Sequence, residues 1–198
     1  MPITTSKVKV PLGMQTLDFW PIATEPDKGH PTYEAAVNLG AAVKGYLTIT
    51  ANAATIPGDD INQLDTEIFA GAQLDAETTM SDLQINAQLF GHSWSEEAGE
   101  ESKSSDHAKS GGLSFIEPIM KADKTVVYRA TCLYKGTALA SSEKQEADTR
   151  KPGEFNPKMN SVSFKIAEDN VQSWRVRKDC DTKEAAEAFI KKTFGAAT

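Results

Sequence analysis

Two long segments on either side of the turn-rich stretch "IPGDDINQ" alternate apolar and polar residues with a period of two. In "GYLTITANA", Leu47, Ile49, Ala51 and Ala53 alternate with Tyr46, Thr48, Thr50 and Asn52. In "TEIFAGAQLDAET", Ile68, Ala70, Ala72, Leu74 and Ala76 occupy one phase and Glu67, Gln73, Asp75 and Glu77 the other. Phe69 and Gly71 break that phase. A helix cannot place such a pattern on one side, whereas a strand sends successive side chains to opposite faces. The segments therefore predict two long paired strands with one dry face and one wet face.

Further strands follow from the same period. "TVVYRATCLYKG" reads as sheet, with Val126, Tyr128, Ala130, Cys132 and Tyr134 on one face, and "SVSFKIAE" places Val162, Phe164 and Ile166 together. Trp174 and Val176 are expected on one side of the last strand. Two helices interrupt this order. "SDLQINAQLFG" has Ser81 as N-cap, Leu83, Ala87 and Phe90 at helical spacing, and Gly91 to end it. "DTKEAAEAFIKKTFG" has capping-box spacing between Asp181 and Glu184, with Ala185, Ala188 and Phe189 on one side. The polar stretches "SWSEEAGEESKSSDHAKSGG" and "ASSEKQEADTRKPGEFNPKMN" are predicted to be exposed and mobile.

With 198 residues, the chain suits one domain, residues 1–44 forming an N-terminal arm and first strands and 45–198 the main β domain. The opening "MPITTSKVKVPLG" has no apolar run of signal-peptide length, and no run of about 18 apolar residues predicts a membrane span. The expectation is a protein made soluble in a cytosol, without a membrane partner.

Charge is distributed unevenly. Between Lys44 and Lys103 there are eleven Asp or Glu residues and no Lys or Arg, so that stretch carries −11 within a net charge of −7. Such asymmetry argues against general nucleic-acid binding and marks either a solvating face or a purpose.

Residues for chemistry are sparse. His30, His92 and His107 lack ligand spacing, so no metal site is expected. Cys132 and Cys180 are too few for a disulfide framework, and Cys132 in its strand reads as a buried small hydrophobe. No nucleophile elbow, phosphate-binding glycine loop or dinucleotide fingerprint occurs. No catalytic residue and no cofactor are expected.

The order "QLFGHSW", a Ser/Glu/Gly loop, "VVYRATCLYKG", a polar stretch and "PGEFNPKMNSVSFKI", closing on "WRVRKDCDTKEAAEAFIKKTF", resembles the major tail protein family of long-tailed bacteriophages over roughly Lys44 to Phe194. The resemblance implies a non-enzymatic β-sandwich or barrel-like tail tube domain with one flanking helix and a short C-terminal helix. Six copies would form a ring, and rings would stack into the conduit for viral DNA in the virion tail. It further implies a tape measure protein, a tail terminator and a baseplate or distal tail protein as partners, with DNA passing through without specific binding. Thr48, Thr50, Asn52, Glu67, Gln73, Asp75 and Glu77 are then the candidates for the lumen wall. Lys7, Lys9, Pro57, Asp59, Asp60, Arg150 and Lys151 are the candidates for assembly contacts. A related contractile system or tailocin would use a similar tube. A monomeric β-barrel holding a ligand is the competing class, and an enzyme stands third.

Overall fold

The structure is a computed structural model that describes residues 9–58, 61–79, 81–143 and 159–195. The mainly β expectation is borne out. Among the described residues the strands are β1 (Lys9–Pro11), β2 (Gln15–Thr24), β3 (Thr32–Tyr33), β4 (Val37–Asn38), β5 (Ala42–Gly58), β6 (Ile61–Thr78), β7 (Ser93–Ser95), β8 (Gly99–Glu101), β9 (Ser110–Lys121), β10 (Val126–Ala138), β11 (Asn160–Ala167) and β12 (Arg175–Cys180). Helix α1 is Leu83–Phe90 and α2 is Lys183–Thr193. Ten strands form one sheet in the order β3-β2-β9-β10-β11-β6-β5, with β1 beside β9, β12 beside β10 and β4 beside β2. Every pairing is antiparallel.

The sheet curls around its own core. Phe19 of β2 stacks on Phe164 of β11 with centroids 6.2 Å apart, although β9 and β10 lie between them in strand order. Leu17, Leu74, Leu113, Leu133 and Ile166 join them, each almost wholly excluded from water. Strands β9 and β10 are buried on both faces, which is why their sequences read as nearly continuous apolar runs. Their second face carries Ile116, Ala130 and Cys132 beneath α2.

Helix α2 closes that second face, in a different phase from the expected one. Thr182 caps it by accepting from the Ala185 N–H at 3.2 Å, and the buried residues are Ala186, Ile190 and the following Phe194, not Ala185, Ala188 and Phe189. Phe194 stacks on Trp20 at 5.0 Å and lies so close over Gly112 that a Cβ there would stand 2.3 Å from its ring. The large aromatic at the end of the helix, rather than its alanines, sets the face that docks.

Helix α1 is capped by Asp82, not Ser81. Its carboxylate accepts from the N–H groups of Gln84 and Ile85 at 2.8 and 3.2 Å. Ala87, Leu89 and Phe90 are buried, while Leu83 is 53% exposed. Gly91 ends the helix with φ 79°, a conformation that favours glycine, and a Cβ there would strike the His107 carbonyl.

The N-terminal region is less of an arm than the sequence suggests. From Lys9 onward it is knitted to β9 through β1 and β2, and Leu17 and Phe19 are core residues. The polar stretch after α1 is exposed but organised, since it contains the β7–β8 hairpin with Ser93 opposite Glu101. Most of the second polar stretch lies outside the described residues. Trp174 and Val176 part company: Trp174 joins the core inside the curl, whereas Val176 packs in the cluster under α2.

Candidate assembly surface

Strands β5 and β6 pair along most of their length, from Ala42 opposite Thr78 to Gly58 opposite Ile61. Near the body the expected faces hold. Leu47 lies opposite Leu74 on the core side; on the other side Lys44, Tyr46 and Thr48 lie opposite Glu77, Asp75 and Gln73. Directly opposed residues share a face, so Thr48, Thr50, Gln73, Asp75 and Glu77 are brought together as expected.

The faces then exchange on β6. Thr50 is opposite Gly71 but Ala51 is opposite Phe69, leaving Ala70 as the extra residue of a β-bulge. Gly71 has φ 143°, backbone that a side chain rarely adopts, which explains the glycine inside a strand. Beyond the bulge Phe69 points to the core side, where it stacks on Trp174 at 4.6 Å. Ile68 is opposite Asn52 and Glu67 opposite Ala53. Two expectations are thereby corrected. Glu67 does not share a face with Gln73, Asp75 and Glu77, and Ile68, 61% exposed, belongs to the wet face beside Asn52 rather than to the dry one. The two residues that broke the sequence alternation, Phe69 and Gly71, were the visible sign of the bulge.

Past Phe69 the hairpin leaves the body. Ala51, Asn52, Ala53, Glu67, Ile68 and Ala70 are exposed, and at about 3.3 Å per residue the eight strand residues from Ala51 to Gly58 reach about 26 Å further. The dry face also ends there, since Ile49 is 49% exposed. Strand β5 ends the sheet path, so its outer backbone groups face no strand of this chain among the described residues.

The wet face is more evenly charged than the sequence implies. Strand β11 extends it with Ser161, Ser163 and Lys165 opposite Glu77, Asp75 and Gln73. Asp75 accepts from Gln73 Nε2 at 2.8 Å and Ser163 Oγ at 2.5 Å. Lys44, opposite Glu77, lies 5.0 Å from the Tyr46 ring centroid. Two lysines thus flank two carboxylates, an offset invisible along the chain because Lys165 is distant from Asp75 in sequence.

Of the expected assembly contacts, Lys9 is engaged within the chain. Its Nζ lies 2.5 Å from Asp179 Oδ2, and Arg129 holds the same carboxylate through Nε at 2.8 Å. These hydrogen bonds, Arg129 first, hold the Asp179 carboxyl down to about 2. The backbone of Pro57 pairs with Asn62 near the hairpin tip. Lys7, Asp59, Asp60, Arg150 and Lys151 lie outside the described residues.

Cys132 is fully buried, and burial pushes its thiol up to about 12. That thiol cannot serve as a ready nucleophile. A groove of about 290 Å³ runs along the seam where Met14 meets Gly45, lined in part by Leu47, Leu74 and Phe115 and rimmed by Lys44 and Glu117. Among the described residues no helix is long and apolar enough to cross a membrane. Compared with known proteins, the sequence matches no protein-family model and no curated protein.

Proposed function

We propose that this chain is a structural, non-enzymatic subunit that polymerises as stacked hexameric rings into the tube of a phage tail. The observation that carries the reading is the β5–β6 hairpin, which outruns the core that supports it and sits at the open edge of a large sheet. Monomeric proteins blunt or cover a long edge strand, because its free N–H and C=O groups recruit other chains. Here the edge is 17 residues long and carries Val43, Tyr46 and Ile49, each about half exposed. A neighbouring copy would cover that edge, and repetition of the contact around a ring would place one continuous face of β5, β6 and β11 toward a central channel.

The ring number, the DNA cargo, the virion location, and the tape measure, terminator and distal tail partners rest on the family resemblance. A tube of a contractile system or tailocin uses the same chemistry and differs in its partners. A ligand-holding barrel fits less well, because the interior of the curl is filled by Leu17, Phe19, Leu113, Leu133 and Phe164.

Sedimentation velocity and negative-stain electron microscopy of the purified chain, alone and with tail-initiating components, test the proposal. Rings or tubes of six copies per ring are expected. A strict monomer at high concentration, with initiators present, rejects it.

A further inference from the structure

Away from the hairpin, a group of side chains has a composition that packing alone does not explain. His92 follows the cap of α1, Glu100 lies on β8, and Glu143 follows the 3-10 turn Ala140–Ser142. One ligand-capable atom from each lies within 4.8 Å of the others. The His92 side chain is only 9% exposed. Its Nδ1 stands 2.9 Å from Asp106 Oδ2, and that oxygen also accepts from the Lys103 backbone N–H at 2.7 Å. An ionised carboxylate can only accept, so Nδ1 carries a proton. In the neutral ring Nε2 then turns a lone pair toward Glu143 Oε2, 3.2 Å away, which is a second acceptor.

Asn86 supplies an independent constraint. Its amide nitrogen lies 2.9 Å from Glu100 Oε1 and 3.0 Å from Glu143 Oε1, so it turns both glutamates toward one centre. Three carboxylates therefore surround one imidazole, and among the described residues no Lys or Arg forms an ion pair with Glu100, Glu143 or Asp106. Facing acceptors and surplus negative charge are relieved by a cation.

We propose that His92, Glu100 and Glu143 bind a divalent transition cation of the zinc class, with Asp106 orienting the imidazole and Asn86 orienting the two glutamates. One imidazole nitrogen with two carboxylate oxygens suits zinc. A carboxylate on the far nitrogen of a ligating histidine is the usual outer support of such a site. Donor atoms sharing a tetrahedral zinc ion stand about 3.4 Å apart, so side-chain rotations that close the present 4.8 Å spacing by up to about 1.4 Å would complete the site. The ion would tie the end of α1 to the β7–β8 hairpin and to the 3-10 turn. His92 and Glu143 are 51 positions apart, so sequence spacing gave no sign of the site.

Isothermal titration of the chelator-dialysed full chain with zinc chloride tests this. One saturable site per chain with a micromolar or tighter dissociation constant is expected. Asp106→Asn should weaken it about 10–100-fold, and His92→Gln and Glu100→Gln should each weaken it further. Glu96→Gln with Glu97→Gln, on exposed neighbours, should leave affinity unchanged. Circular dichroism establishes that each variant is folded; if His92→Gln is not, Glu100→Gln and Asn86→Ala decide. The absence of saturable binding up to millimolar zinc, as expected if a protonated His92 alone balances the carboxylates, overturns the proposal. So does zinc affinity that Glu100→Gln and Asn86→Ala leave intact.

Discussion

Phe69 stacks on Trp174 with ring centroids 4.6 Å apart and planes 12° apart, and this pair is where the long hairpin is last fastened to the body. Trp174 itself packs on the interior of the curl and carries the Arg175 guanidinium 4.2 Å from its own ring. The bulge at Ala70–Gly71 exists to bring Phe69 to this side. Replacing Trp174 by Ala should cost about 2 kcal/mol, below the 3–5 typical of a fully buried tryptophan because the ring is only partly covered. Hydrogen exchange should accelerate on the strand segments beyond the bulge more than in β9 and β10. Uniform acceleration would show that the stack supports the core rather than the hairpin.

What the sequence made legible was governed by local period. Strand β11 could be read because it keeps one phase throughout, and Val162, Phe164 and Ile166 are buried together as expected. Strand β10 keeps its phase only as far as Leu133, where a bulge before Gly136 lets Ala138 join the same core as Leu133. The β6 faces could not be followed past Phe69, since one extra residue reverses every later side chain and only the partner strand reveals which residue is extra. The docking face of α2 was displaced by one position because Phe194, beyond the helix, chooses the side that meets Trp20. Non-local charge was equally hidden: Lys165 reaches the polar face of β6 through a β11–β6 pairing that nothing near Asp75 in the chain announces.

The Asp179 carboxylate sets an acid limit on the join between β1, β10 and β12. Arg129 and Lys9 hold its folded pKa at about 2, below the ordinary value of 3.8. The folded form therefore binds this proton less readily than the unfolded chain, so the contribution is fully present above about pH 4 and is lost as pH falls toward 2. Urea midpoints should show Asp179→Asn less stable than the parent by ~1–2 kcal/mol at pH 7, after allowance for partial solvent exposure. The difference should shrink between pH 4 and 2. A difference that stays constant through that window would remove Asp179 as its source.

Cys132 is a packing atom. With its thiol at about 12, only about one molecule in ten thousand is thiolate at pH 8, and burial blocks reagent as well. Alkylation of native protein should proceed no faster than unfolding permits. Cys132→Ala should cost about 1 kcal/mol and leave assembly unchanged. Fast labelling accompanied by loss of assembly would place the thiol at a surface instead.

If the chain forms the proposed tube, the bulge supplies a test of which face lines it. Thr48, Thr50 and Asn52 keep one side of β5, whereas Glu67 lies across the sheet from them, opposite Ala53. If the side of Thr48 faces the channel, Thr48→Lys with Thr50→Lys adds twelve cations to each ring of six. Phosphates would then be held through counterion release, with an affinity that falls steeply as salt rises. Glu67→Lys makes the same kind of charge change on the opposite face and should leave DNA passage intact. Both threonines are exposed, so neither substitution buries a charge, and tubes should still form. DNA retention at low salt, measured on assembled tubes or by ejection from particles, should therefore separate the two variants. Slowed passage with Glu67→Lys and normal passage with the threonine variant would assign the channel to the other face of the hairpin.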